Sequence, residues 1–483
     1  MSDGDRLRME DLAENVIRRG LDLGADYVEA RIQSDVENTY TLKNGIPDTF
    51  QLSKAVGIGV RILVNGALGF ASTDKLTKVD VEDLVKLAYN MARSASRLVK
   101  NPVKLSTDKT VQTSWEVKAA SSPEDISPEE KFDLLLEVEH MLDPQKVGVD
   151  LPSRYMTLSH DRQEKFYVNS EGTRIHGRVP RISLWYFLTA SKPGKGTLQR
   201  WTHVGESRGW EAVQEWDPPK LVSDEAKTLG KILEEGSAPP KGETDLILGS
   251  EVVGIICHES CGHPQEADRI LGREAAQAGE SYLKPEMIGT RIGSDHVTIV
   301  DDPTLPRSFG YYLYDDEGVS TGERVLIEKG VIRSFLHNRE TAAEIGVKSN
   351  GAARAVAYSR EPIIRMANTY MKPGNYTREE LFDELKSGVY IKTFMEWNID
   401  DRRYNQRYVG LEAYLIQNGE VTRPIRNPVL EVTTHSLYSS VDAVSKTVDF
   451  QAATCGKGDP QQGAPVWTGG PEIRLRRLRL GGL

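Results

Sequence analysis

Cysteine is scarce in this chain: its 483 residues include only Cys257, Cys261 and Cys455. An odd and sparse set excludes a disulfide framework and predicts a reducing compartment. Long apolar runs are missing as well. No stretch reaches the roughly 18 uncharged residues that a spanning helix requires, so no membrane association is expected. The opening MSDGDRLRMEDLAEN lacks the apolar segment of a secretory signal. Together these absences predict a soluble, cytoplasmic protein. Basic charge is not in excess: 61 Lys and Arg stand against 71 Asp and Glu, a formal charge of −10. That balance argues against a nucleic-acid partner. What is present is ordinary for a globular protein, 39% hydrophobic and 27% charged residues, which excludes a disordered or fibrous chain. There is no fixed-period repeat and no low-complexity tract. The length exceeds one ordinary core and predicts more than one domain.

Hydrophobic spacing then divides the chain. Leu12, Val16, Ile17 and Leu21 predict a helix over 9–23, stopped at Gly24. Partial alternation from Tyr27 to Ile32 and the β-branched run Val56–Ile62 predict strands. Asn44-Gly45 and Asn65-Gly66 lie between apolar runs and predict hairpins. A second helix is expected over 79–98, and residues 101–127 read as a linker. Ser127-Pro128-Glu129-Glu130 then forms a capping box with proline at the first helical position. Antiparallel strands are expected over 150–216 and a helix over 224–235. Gly236–Gly242 is the best domain boundary. Asn350-Gly351 and Asn418-Gly419 add two hairpin candidates to a strand-rich second half. The expected fold class is α+β, with an N-terminal helix-and-hairpin domain over 1–236. A mostly β C-terminal domain over 243–483 carries one conspicuous helix.

That helix carries the chemistry. Asp245–Leu248 reads as a short strand and Ser250 as the N-cap of the run 251–259, followed by Ser260-Cys261-Gly262-His263-Pro264. His258-Glu259-x-x-x-His263 differs by one residue from the zinc-peptidase spacing His-Glu-x-x-His. Residues four apart lie about 40° apart around a helix, whereas residues five apart lie about 140° apart. Convergence on one ion therefore requires an irregularity. Gly262 permits unusual dihedrals, Pro264 biases His263 away from the α region, and a widened turn would bring His263 back. Glu259 adjoins the first histidine, where a carboxylate can take a proton from activated water and pass it to a leaving amine. Two histidines leave the site one ligand short. Cys455, in the Gly-rich Thr454-Cys455-Gly456-Lys457-Gly458, would complete a His2Cys set with one position open. Against this stands the plainer reading: such a pattern arises by chance in many chains, and paired histidines are more often satisfied without metal. Cys257 and Cys261, four apart on an apolar helix, read as core residues.

Taken in order, these residues resemble the TldD/PmbA family of zinc metalloproteases. The similarity spans nearly the whole chain. It includes Gly24–Arg31, Asn65–Ser72, Asp315–Val319, Leu326–Gly330, Arg365–Thr369, Thr454–Lys457 and Gly469-Gly470-Pro471. The resemblance implies Zn²⁺ held by His258, His263 and Cys455, with Glu259 as the catalytic carboxylate. It implies a peptidase acting on short or unfolded peptides inside an internal cavity that excludes folded proteins. It also implies a dimer, either a homodimer or a heterodimer with a PmbA/TldE-like subunit that lacks the motif; the motif here matches the catalytic subunit. One stretch departs from the family pattern. Asn398–Asn405 replaces a more glycine-rich segment, which bears on substrate preference and on the partner but not on the metal site. Two other classes remain open at this point: a non-catalytic peptide-binding or assembly subunit with a structural metal, and a non-peptide amide hydrolase.

Other residues read as ordinary. Arg354 and Arg365 could hold a substrate carboxylate or carbonyl but fit surface or interface ion pairs better. Asp315-Asp316-Glu317-Gly318 reads as a solvated turn. Arg474–Leu480, with its partial alternation, reads as a final amphipathic strand. His296, His337 and His435 stand alone.

Overall fold

A computed structural model describes residues 3–276 and 278–482. The N-terminal half is built on one seven-stranded sheet. Helix α1 (Asp3–Asp22) is followed by β1 (Tyr27–Lys43), β2 (Ile46–Val64), β3 (Ala67–Thr73) and helix α2 (Lys78–Ala95). Both expected hairpins are present. Asn44, Gly45, Asn65 and Gly66 all have positive φ (49°, 76°, 47° and 78°), the geometry of the type I′ turn that matches strand twist. Residues 101–127 are more than a linker. They contain β4 (Gln112–Glu116), which pairs in parallel with the later strand Arg174–Lys192. The capping box opens α3 (Pro128–Met141) as expected, and the turn α4 (Pro144–Val147) leads into β5 (Asp150–Asn169). Strands β6 (Arg174–Lys192) and β7 (Gly196–Glu206) and helices α5 (Glu211–Trp216) and α6 (Pro218–Glu235) complete the half.

The period of two along these strands divides their work. On β5 and β6, Met156, Leu158, Ile182, Leu184, Tyr186 and Leu188 face α3 and α6 in one buried cluster. The residues between them, among them Thr157, Ser159, Asp161, Arg181, Ser183 and Trp185, face a cavity. On β1 and β2, Val28, Ala30, Ile32, Ile58, Val60 and Ile62 pack with α1 and α2. Their alternates Glu29, Arg31 and Arg61 are buried on the other face, against the second half of the chain. One face of the sheet is thus a core and the other is polar.

The second half is organised on a thirteen-stranded sheet. Its longest strand, Gln462–Gly482, pairs with Val441–Lys457, with β8 (Gly242–Leu248) and with Asn368–Met371. Helix α7 (Ser250–Cys257) lies across this strand. Its Gly254 approaches so closely that a Cβ there would meet the backbone nitrogen of Gly469 at 2.8 Å. The helix starts one residue earlier than expected: Gly249 is the N-cap and no side chain caps it. The Asn418-Gly419 hairpin forms (φ 51° and 82°), but Asn350-Gly351 does not join two strands directly. Instead Asn350 accepts from the His337 N–H (2.9 Å) and donates to the Phe335 carbonyl (2.7 Å), bracing a loop. Among the described residues no helix is long and apolar enough to cross a membrane.

Candidate metal centre

The irregularity that the histidine spacing demands is a single wide turn. After Cys257 the helix widens over His258–Gly262, and the His263 N–H bonds to the His258 carbonyl, five residues back. The extra residue is absorbed there, and a short tight turn, His263–Gln265, follows. Two expectations about the means need correction. His263 stays right-handed (φ −60°, ψ −44°) despite Pro264, and Gly262 (φ −56°) uses no special dihedral. Gly262 is needed for space instead, because a Cβ there would collide with the Met366 sulfur. The wide turn is anchored from the neighbouring strand Asn405–Gly410. The Ser260 hydroxyl donates to the Gln406 amide oxygen at 2.5 Å, and Tyr408 donates to the same oxygen at 2.6 Å.

The imidazoles of His258 and His263 sit with ring centroids 4.8 Å apart, nearly perpendicular at 80°. Cys455, from the strand Val441–Lys457, brings its Sγ to 3.3 Å from His263 Nε2. One donor atom from each of His258, His263 and Cys455 lies within 4.8 Å of the others, and all three residues are buried. Burial by itself would raise the Cys455 thiol. The imidazoles of His263 and His258 and the guanidinium of Arg365 outweigh it and hold the thiol well below its ordinary range. His258 Nδ1 is buried with no hydrogen-bond partner. Two imidazoles, one with an orphaned ring nitrogen, and a thiol beside them are a donor set that suits zinc.

The residues behind these donors were not singled out from the sequence. Glu266 accepts from His263 Nδ1 at 3.0 Å, which turns Nε2 toward Cys455. Glu266 is itself gripped by Arg269 Nε (2.6 Å) and Lys457 Nζ (3.3 Å). Burial would raise its carboxyl, but Lys457, His263 and Arg269 together hold it well below the usual carboxylate range. Lys457 has a fully buried side chain that also reaches both Asp268 oxygens, at 2.8 and 2.7 Å. It stands two residues beyond Cys455 on the same strand, so one segment supplies the sulfur and the cation that steadies the His263 partner. Period-two spacing in Thr454-Cys455-Gly456-Lys457 was the available signal. Arg365 is not a surface ion pair: it is 1% exposed and donates to the carbonyls of Cys455 and Gln462. Arg354 is buried too, donating to the Met366 and Pro465 carbonyls at 2.7 and 3.0 Å.

Glu259 is 7% exposed and pairs with Arg403. Arg403 lies in the turn between the strands Phe394–Ile399 and Asn405–Gly410. The divergent segment 398–405 therefore does reach the site, because it delivers a cation to the carboxylate beside His258. His258, Glu259, His263, Arg403 and Cys455 line a cavity of about 920 Å³ between the two sheets. Its walls also include Trp115, Trp185, Trp201 and Trp397, and Asp161 and Lys165 from β5. The acidic turn at 315–317 is likewise not solvated. Asp315, Asp316 and Glu317 are 5%, 6% and 1% exposed. Asp316 takes Lys165 Nζ on both oxygens (2.9 and 2.8 Å), and Glu317 pairs with Arg61 at 2.6 Å. Burial is also the role of Cys257 and Cys261, whose thiols are free and sit in the core. His337 is buried, and the final strand runs Gln462–Gly482 as expected.

Comparison with known proteins covers most of the chain. The PmbA/TldA metallopeptidase domain 1 matches residues 28–92, the central domain 121–233 and the C-terminal domain 241–482. A metalloprotease of Methanocaldococcus jannaschii is 31% identical over 458 residues, 95% of this chain and 97% of that one. A zinc metalloprotease TldD homolog of Saccharolobus solfataricus is 30% identical over 472 residues, 96% and 99% of the two chains. The crystal structure of TldE from Thermococcus kodakarensis superposes with a TM-score of 0.75, covering 98% and 100% at 17% identity, and so shares the fold. With a family match over the entire second half and full-length relatives at this identity, the chain belongs to the PmbA/TldD family and is a metalloprotease of it.

Proposed function

We propose that this protein is a zinc-dependent peptidase that hydrolyses short or unfolded peptides within its cavity, using Zn²⁺ held by His258, His263 and Cys455. The observation that carries the reading is the convergence of three buried donors within 4.8 Å at a cavity wall, with Glu259 next to one of them. When bound, zinc supplies Lewis acidity, bringing the pKa of water to about 7 and polarising a carbonyl. The protein's own groups do the rest. Glu259 accepts a proton as the water oxygen adds to the scissile carbonyl carbon. It returns that proton to the amine nitrogen as the C–N bond breaks. Glu266 holds His263 in one orientation and tautomer, and Arg365 anchors the Cys455 backbone. A cavity of about 920 Å³ admits a short extended chain and no folded domain.

The same reading makes residues 1–236 and 243–483 two units that build one site, the first supplying a wall and the second the donors. The partner is a second copy or a PmbA/TldE-like subunit, and the compartment is the cytoplasm. Metal analysis of the wild type and of Cys455→Ser, with peptide cleavage followed by mass spectrometry, tests the assignment. Near-stoichiometric zinc is expected in the wild type and strong depletion in Cys455→Ser, with the fold retained in both. Glu259→Gln should keep its zinc and lose about 10³-fold in kcat. A Glu259→Gln enzyme that cleaves at the parent rate would refute the role given to Glu259. Unfolding of Cys455→Ser on metal loss would instead make the ion structural.

A further inference from the structure

Arg403 is overbuilt for a surface loop. It has φ 61°, a left-handed conformation that side chains rarely adopt. The turn that imposes it is held from several sides. Asp400 accepts from the Tyr404 N–H at 2.8 Å, the Arg403 N–H bonds to the Asp400 carbonyl at 2.9 Å, and Thr434 donates to the Arg403 carbonyl at 3.3 Å. The outcome is a buried arginine, 8% exposed as a residue, that lines the same cavity as His258, His263 and Cys455. Of its donors, Nη1 is taken by Glu259, while Nε is buried with no hydrogen-bond partner.

Two demands on Glu259 conflict. As the only acid paired with Arg403 among the described residues, it neutralises a buried cation. As the carboxylate that moves the proton, it must turn to water and the leaving amine. Both demands are met if another anion takes over the guanidinium when substrate enters. An arginine fork matches a carboxylate through two parallel N–H···O bonds, and this one still has an unengaged Nε.

We propose that Arg403 is a specificity-determining residue that binds a carboxylate of the substrate close to the scissile bond, and that this exchange releases Glu259 for proton transfer. The carboxylate is either a free C-terminus or an acidic side chain. The inference rests on the peptidase reading for its second half only, since binding to Arg403 can be measured without turnover.

The test uses the full-length Glu259→Gln protein with its metal, and calorimetry with short peptides in matched pairs. In one pair the C-terminus is a free acid or a carboxamide; in the other an internal residue is Glu or Gln. The acid form should bind at least about tenfold more tightly in one of the two pairs, which identifies the source of the carboxylate. Adding Arg403→Met should erase the difference, and Arg403→Lys should restore part of it. In the wild-type enzyme the same pair should differ in kcat/KM through both KM and kcat, because the neutral form leaves Glu259 tied to Arg403, and Arg403→Met should level the pair. Equal binding of acid and neutral forms in both pairs would overturn the proposal, as would a preference that survives Arg403→Met. Because the first comparison needs no Arg403 variant, poor folding of one leaves it decisive. If the wild type cleaves nothing while the binding preference stands, the peptidase reading fails and the carboxylate site does not.

Discussion

The metal-centre turn at 258–266 and the acidic turn at 315–317 bury much the same kind of chemistry, yet they are finished differently. In the acidic turn every carboxylate is consumed. Asp315 accepts backbone N–H groups from Glu317, Val319 and Ala353, and Asp316 takes Lys165 and the Ala355 N–H. Glu317 is shared between Arg61 and the Arg339 N–H. Lys165 and Arg61 come from the first sheet, so this turn bolts the two halves of the chain together. In the metal centre the donors converge with capacity left over: His258 Nδ1 and Arg403 Nε have no partner, and the imidazoles of His263 and His258 hold the Cys455 thiol well below its ordinary range against the effect of burial. Saturated buried charge builds structure, and unsaturated buried charge that faces a cavity builds a site.

Three measurements would break or sharpen that contrast. The largest effect is expected at the saturated end. Glu317→Gln leaves Arg61 with Glu29 alone, at 2.8 Å. Breaking such a pair should cost about 3 kcal/mol in guanidinium-chloride unfolding. A loss near zero would mean that the turn is not a structural joint. Next comes Lys457→Met, which strips Glu266 of one of its cations and so loosens His263. Zinc affinity should fall by about 10- to 100-fold in chelator competition, with the unfolding midpoint recorded alongside. Unchanged affinity would remove Lys457 from the support of the site. The smallest and broadest effect is a pH dependence outside both clusters. Burial pushes His160, His203 and His337 down to about 4, so the fold holds them neutral. Their stability contribution is complete above the unfolded value of about 6.5 and is lost as pH falls toward about 4. Asp316 titrates later: burial would raise its carboxyl, but Lys165 and Arg31 keep it below the usual range. Burial pushes Asp161 up to about 6, and burial with Glu317 raises Asp315, so these carboxyls oppose the loss. The imidazoles are therefore best followed one by one: NMR titration should find all three neutral down to about pH 5. Protonation of all three near the free value of about 6.5 would show that the imidazoles are not held neutral by the fold.

Local signals carried far in this chain. Asn44-Gly45, Asn65-Gly66 and Asn418-Gly419 marked hairpins because type I′ turns need positive φ, and Ser127–Glu130 marked a helix start because capping is a short-range hydrogen bond. Asn350-Gly351 misled for the complementary reason: its asparagine is spent on a long-range brace that the dipeptide does not encode. At the site, the irregular spacing of His258 and His263 announced a widened turn. The cause assigned to Gly262 was wrong, since the constraint comes from Met366, more than a hundred residues away. Arg403, Glu266 and Lys457 escaped notice because a buried charge and a solvated one look alike in sequence.

Spacing, turn chemistry and residue type alone determined the α+β class, the helix that carries His258 and Glu259, and the need for a third ligand such as Cys455. They could do so because periodicity and dihedral preference are properties of adjacent residues. Only the tertiary structure decided that Asp315–Glu317 is a joint rather than a loop, that Lys457 stands behind His263, and that Arg403 holds Glu259. Each of these depends on which distant groups desolvate a charge and which neutralise it. That balance exists only once the two sheets have closed on one another.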